Sequence, residues 1–173
     1  MGTVTLITGG ARSGKSTHAL ALAQQAPGTK RFFIATAEAL DDEMRERIAR
    51  HRASRAVDFV AIEEPIALAG ALAALAGRAD VVVVDCLTLW VSNLLMAHRS
   101  DEEILAAARS LAEAMADAPF ASFVVTDEVG AGIVPENATA RRFRDLLGWT
   151  NQALAQRAER VLLMVAGYPL RVK

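Results

Sequence analysis

Gly9, Gly14, Lys15 and Ser16 stand at the spacing G-x-x-x-x-G-K-S within "GGARSGKS" (9–16). Glycines let the backbone turn its N–H groups toward an anion with no Cβ in the way. Lys15 adds a mobile positive charge for the β- and γ-phosphates of a nucleotide, and the Ser16 hydroxyl can ligate a nucleotide-bound Mg²⁺. A helix starting near Ser16 points its positive end at the phosphates. The setting supports this reading over a chance glycine-rich turn. "TVTLITG" (3–9) reads as a buried strand and "STHALALAQQA" (16–26) as a helix. Strand, loop and helix together are what a Walker A loop requires. The loop alone leaves kinase, ATPase, GTPase switch and nucleotidyl transferase open.

Asp85 closes the run "VVVVD" (81–85). A hydrophobic strand ending in an acid is the Walker B arrangement, with the carboxylate emerging near the Mg²⁺. An ordinary strand-ending acid or helix cap is the plainer alternative. No D-x-x-G follows a strand and no N-K-x-D occurs, which counts against a GTPase switch. The metal set read from sequence is therefore Ser16 and Asp85.

"LDDEMRERIARHRASR" (40–55) carries a third kind of chemistry. Asp41, Asp42 and Glu43 fall in the first turn of a helix expected over 40–54, where carboxylates complement the dipole. Leu40, Met44 and Ile48 form an apolar stripe, and His51 falls roughly 20° off it, which also suits a histidine at the edge of the core. Arg47, His51 and Arg55 are spaced i, i+4, i+8 and form a ladder on one side. Two cations beside an imidazole disfavour its protonation and keep the neutral, nucleophilic ring, while the arginines hold phosphate oxygens. His18 follows the phosphate loop and His98 ends a helix beside Arg99, so neither shares this setting.

The elements that must position these residues alternate in type. Strands are expected over 3–8, 31–36, 57–62, 81–85, 121–126 and 161–166, and helices over 16–26, 40–54, 65–77, 88–98, 101–117 and 137–158. Near-continuous Val/Ile runs suit strands covered on both faces, as in a parallel sheet. Strand–helix alternation implies an open α/β sheet with ligands beyond the strands' carboxyl ends. "TDEVGAGIVPENATARRFRDLLGWTNQAL" (126–154) follows a strand. There Gly130 and Gly132 permit a tight path, and Pro135 and Asn137 read as a stop and a helix N-cap. Glu128, Glu136 and Asn137 are expected on a loop at the ligand edge, and Arg141, Arg142 and Arg144 on a solvated helix face.

The chain has 173 residues, 53% hydrophobic and 23% charged, which suits one globular domain over 1–173 with a full core. A net charge of −1 gives no support to nucleic acid as a partner. Cys86 is the lone cysteine; following "VVVVD", it reads as a small buried core residue. No CxxC or histidine-rich cluster points to zinc. No signal peptide or membrane-length apolar run is seen, so a cytoplasmic location is expected.

"GGARSGKS", "IATAEALDDEMRERIARH…R", "VVVVDCLTLWVSNLL", "DEVGAGIVPENATARRFRDLLGWTNQALA" and "VAGYPLRVK" together resemble the bifunctional adenosylcobinamide kinase / adenosylcobinamide-phosphate guanylyltransferase family of cobalamin biosynthesis. The likeness spans nearly the whole chain, in order, and "GIVPEN" followed by "ARRFRD" and "NQ" is its most specific part. The resemblance implies a P-loop, RecA-like α/β fold and two activities. One phosphorylates adenosylcobinamide with ATP or GTP. The other transfers GMP from GTP to adenosylcobinamide-phosphate through a GMP–histidine intermediate, giving adenosylcobinamide-GDP and pyrophosphate. The histidine it implies is His51. The nucleotide contacts it implies are Gly9, Gly10, Ala11, Arg12, Ser13, Gly14, Lys15, Ser16, Ala35, Thr36, Ala37, Arg52, Ala53, Ser54, Arg55, Glu63 and Asp85, with Mg²⁺ carried by GTP or ATP. It implies a homotrimer as well. The family's usual T-N-E or S-N-E is Thr126, Asp127, Glu128 here, which leaves position 127 without an assigned role. An ordinary P-loop small-molecule kinase with a structural His51, or a nucleotide-dependent interaction protein, are the rival readings of the residues themselves.

Overall fold

The computed structural model describes residues 2–38 and 58–173. The valine run 81–85 shows why the chain folds in layers. Val82 and Val84 join one buried cluster with Leu6, Ile34 and Val124, while Val81 and Val83 join a second with Ile7, Phe33 and Phe123. Alternate side chains of a strand point to opposite faces, so a strand apolar at every position needs cover on both.

Seven strands occur among the described residues: β1 (Val4–Gly9), β2 (Arg31–Ala35), β3 (Phe59–Glu63), β4 (Val81–Asp85), β5 (Ala121–Val125), β6 (Arg160–Val165) and β7 (Tyr168–Arg171). They make one sheet in the order β3-β2-β4-β5-β1-β6-β7. β1 to β6 pair in parallel and β7 runs antiparallel to β6. The helices are α1 (Lys15–Gln25), α2 (Leu68–Ala73), α3 (Leu87–Met96), α4 (Asp101–Asp117) and α5 (Ala138–Arg157). α1 packs Ala19 and Ala23 against the second cluster; α2 to α5 supply Leu72, Trp90, Leu111 and Leu147 to the first. This is the open, mostly parallel sheet with helices on both faces that the sequence predicts.

Two helix starts show local sequence fixing a boundary. Ser100 Oγ accepts from the Glu103 amide at 3.2 Å and Glu103 Oε2 accepts from the Ser100 amide at 2.8 Å, a reciprocal capping box before three acids in the first turn of α4. The Ser100 amide, then Arg99, hold the Glu103 carboxyl below its usual range. Asn137 Oδ1 accepts from the Ala140 amide at 3.1 Å and caps α5, as expected.

Three expectations differ from what is found. The helix expected over 65–77 is confined to Leu68–Ala73, and turns carry the chain on to Gly77, whose φ is +75°. Strand β7 was not expected: "YPLR" is short, contains a proline and is exposed throughout, so it lacks an alternating pattern. Cys86 is only partly buried as a residue and packs at the margin of the second cluster. The helix expected over 40–54 lies outside the described residues.

Candidate active site at the carboxyl edge of the sheet

The loop between β1 and α1 is built on backbone conformations that side chains oppose. Gly9 has φ +150°, and a Cβ there would sit 2.6 Å from the Met164 carbonyl oxygen and 2.8 Å from Ser13 Oγ. Gly14, the N-cap of α1, has φ +94°. Arg12 takes a left-handed φ of +57° without being glycine. The loop is pinned from outside by the β6–β7 turn, where the Gly167 amide donates to the Ser13 carbonyl at 3.0 Å. Gly10, Ala11 and Arg12 face solvent, Ser13 is buried and Ser16 is half-buried.

Lys15 is not the freely mobile cation that the motif alone predicts. Its residue is 8% exposed. Its ammonium donates to the Gly10 carbonyl at 2.6 Å and lies 2.6 Å from Asp127 Oδ1. Asp127 follows the end of β5, the strand between the phosphate-loop strand β1 and the Asp85 strand β4. Sequence reasoning left Asp127 without a role; its one signal is its place just past a buried strand. Its neighbour Glu128 accepts from the Thr8 hydroxyl at 2.8 Å and donates its amide to the Gly9 carbonyl at 3.1 Å.

Strand register collects the other expected residues. Ile7 pairs with Val125, Val125 with Asp85, Asp85 with Ala35 and Ala35 with Glu63. Asp85, Ala35 and Glu63 thus share one row across β4, β2 and β3, at the sheet edge that bears the phosphate loop. Thr36 follows that row but is fully buried. Its hydroxyl donates to the Cys86 carbonyl at 2.7 Å and accepts from the Cys86 amide at 2.8 Å, while its carbonyl accepts from Asn93 Nδ2 at 2.8 Å. Asn93 also donates to the Pro65 carbonyl at 3.1 Å. The loops after β2, β3 and β4 are therefore tied together beneath the row, and Asn93, unremarked in the sequence, is the knot. Ala37 beyond it is half-buried.

Burial first, and the neighbouring Asp85 charge second, push the Cys86 thiol up to about 12. A thiol shifted that far carries little thiolate at neutral pH. Ser16 and Asp85 offer the hydroxyl and carboxylate that a nucleotide-borne Mg²⁺ takes alongside phosphate oxygens and water. No cluster of three His, Cys, Asp or Glu side chains able to hold a metal by itself occurs among the described residues. That donor set fits a cation that arrives with its nucleotide.

Arg141 and Arg142 of α5 are tied to neighbouring segments and not simply solvated, while Arg144 pairs with the adjacent Asp145 at 3.0 Å. Arg141 donates to the Pro135 and Glu136 carbonyls at 2.9 and 2.6 Å, holding the end of the glycine-proline loop. Arg142 reaches Asp101 Oδ1 at 2.6 Å and the Arg99 carbonyl at 2.9 Å. Arg47, His51, Arg52, Ala53, Ser54 and Arg55 lie outside the described residues.

Fold, loop and strand order define a P-loop-type α/β protein. The chain belongs to the CobU family, cobinamide kinase / cobinamide phosphate guanyltransferase, whose profile matches residues 5–172. It is 45% identical to the bifunctional adenosylcobalamin biosynthesis protein CobP of Pseudomonas aeruginosa, over 97% of this chain and 96% of that one. It is 39% identical to the bifunctional adenosylcobalamin biosynthesis protein CobU of Escherichia coli, over 97% of this chain and 98% of the relative. The CobU of Salmonella typhimurium is 39% identical over the same shares. No helix among the described residues is long and apolar enough to cross a membrane.

Proposed function

We propose that the protein is a bifunctional enzyme that phosphorylates adenosylcobinamide with ATP or GTP and then transfers GMP from GTP to adenosylcobinamide-phosphate. The observation that carries the reading is the phosphate loop itself, with Lys15 buried at its base and Asp85 two strands away on the same edge. In the first reaction a hydroxyl oxygen of adenosylcobinamide attacks the γ-phosphorus and gives up its proton to solvent, the bond from the γ-phosphorus to the β–γ bridging oxygen breaks and a nucleoside diphosphate leaves. The amide groups of residues 9–16 and the Lys15 ammonium stabilise the charge that develops on the transferred group. Ser16 and Asp85 would hold a Mg²⁺ that arrives with the nucleotide, and that ion would supply neutralisation of phosphate charge.

In the second reaction a neutral His51 ring nitrogen attacks the α-phosphorus of GTP and pyrophosphate leaves. A phosphate oxygen of adenosylcobinamide-phosphate then attacks the same phosphorus, and the N–P bond breaks to release His51 and adenosylcobinamide-GDP. Arg47 and Arg55, four residues either side of His51 in the sequence, supply the compensating charge. Ala35, Thr36, Ala37, Glu63 and residues 52–55 complete the nucleotide site in this reading. We place the enzyme in the cytoplasm as a homotrimer; sedimentation velocity tests the assembly.

The test of both activities uses adenosylcobinamide with ATP labelled on its γ-phosphate, followed by a chase with GTP. The reading expects label to move to the corrinoid, and GTP then to convert that product to adenosylcobinamide-GDP with release of one pyrophosphate. Labelled corrinoid phosphate with no pyrophosphate on the chase would make the protein a kinase alone.

A further inference from the structure

The Lys15–Asp127 contact is more than a surface ion pair. Lys15 is 8% exposed as a residue, and its side chain is 9% exposed against 26% for that of Asp127. A lysine ammonium so far from water needs an anion, and the 2.6 Å separation from Asp127 Oδ1 supplies one. The carboxylate is held by its own backbone. The Asp127 amide donates to Thr88 Oγ1 at 3.0 Å, and its carbonyl accepts from Asn151 Nδ2 at 3.1 Å. Asn151 is fixed in turn by the Thr126 hydroxyl, which donates to Asn151 Oδ1 at 2.7 Å, both residues being buried. Glu128, next in the chain, is bonded to Gly9 and Thr8. Three elements thus hold Asp127 against the base of the loop: β1, α3 and α5.

We propose that Asp127 is the resident counter-ion of Lys15, a positioning residue that a triphosphate must displace. The proposal rests on residues 9–16 being a phosphate-binding loop. The incoming phosphate oxygens and the Asp127 carboxylate compete for the same ammonium, so binding exchanges one anion for another and no bare charge is filled. Two consequences follow. Lys15 is kept pre-placed at the base of the loop. Affinity for the triphosphate moiety is set below what the loop and lysine alone provide, whatever the base. The site is thereby tuned toward release of its nucleotide products.

The experiment measures binding of inorganic tripolyphosphate and of ATP by calorimetry, without Mg²⁺, to wild type and to Asp127→Asn. Loss of the competing charge-assisted hydrogen bond is expected to tighten both ligands about tenfold and by the same factor. Asp127→Ser carries the same expectation should the asparagine chain fold poorly. A thermal-unfolding cycle without ligand completes the test. Asp127→Asn should lower the Tm of wild type, and lower it much less in a Lys15→Gln background. Unchanged or weaker binding, or an equal loss of Tm in both backgrounds, overturns the proposal. Wild type that binds neither ligand overturns the phosphate-loop reading with it; wild type that binds while the variant gains nothing overturns the counter-ion alone.

Discussion

Lys15 meets a carbonyl and a carboxylate, each at 2.6 Å, and this defines what its removal does. Lys15→Ala deletes the charge aimed at the transferred phosphoryl group and should lower kinase kcat/KM on the order of a hundredfold or more. A folded Lys15→Ala protein with wild-type kinetics would remove the loop from the reaction. Asp85 ends β4 in the row shared with Ala35 and Glu63. Asp85→Asn should raise the Mg²⁺ concentration needed for half-maximal activity, and a titration that superimposes on wild type takes Asp85 out of the metal site. Cys86, with its thiol pushed up to about 12, has almost no thiolate at pH 8. Iodoacetamide at pH 8 should leave it unmodified in the native chain and alkylate it rapidly after denaturation. Rapid native labelling would mean that burial does not keep the thiol protonated.

At the scale of elements, the β1–α1 loop fits against the β6–β7 hairpin through glycine. Gly9→Ala would place a Cβ 2.6 Å from the Met164 carbonyl, a backbone atom with little room to give. A loss of about 1–3 kcal/mol in urea unfolding is expected, with activity falling alongside. Ser100→Ala removes the cap of α4 far from the site and should cost about 1 kcal/mol with kcat intact. The sequence made the inner strands legible because Val81–Asp85 and Ala121–Val125 are buried almost without break, a pattern that needs no partner to be recognised. The phosphate loop was legible because its glycines, lysine and serine are contiguous. β7 was not, since a strand exposed at every residue is defined by its pairing with β6 and by nothing in its own pattern. The Lys15–Asp127 contact was not either. It joins residues more than a hundred positions apart, and only the placing of β5 beside β1 brings them together. Arg141 and Arg142 read as solvated cations because their acceptors are largely backbone carbonyls, which no side-chain pattern reports.

Across the whole molecule, the phosphate loop, the Asp85 row and the Asp127 corner come from the ends of β1, β4 and β5, adjacent in the sheet although dispersed along the chain. A ligand spanning them should stabilise the fold as a unit. At a hundred times its Kd a nucleotide adds about 2.7 kcal/mol, roughly 5–10 °C in Tm for a chain of this size. Scanning fluorimetry with Mg²⁺–GTP should show that shift in wild type and a much smaller one in Lys15→Ala. In the proposed route one chain performs two displacements at two different phosphorus atoms, with His51 carrying GMP in the second. Phosphoryl transfer to a substrate hydroxyl needs no protein nucleophile, whereas guanylyl transfer by this route does. The most direct measurement mixes the protein with Mg²⁺ and GTP labelled on the α-phosphate, denatures it, and follows the label in wild type and in His51→Ala. Wild type should retain label after alkaline denaturation and lose it in acid, as a histidine phosphoramidate does. His51→Ala should retain none while still phosphorylating adenosylcobinamide. Full labelling of His51→Ala, or the loss of both activities together, would rule out His51 as the carrier of GMP.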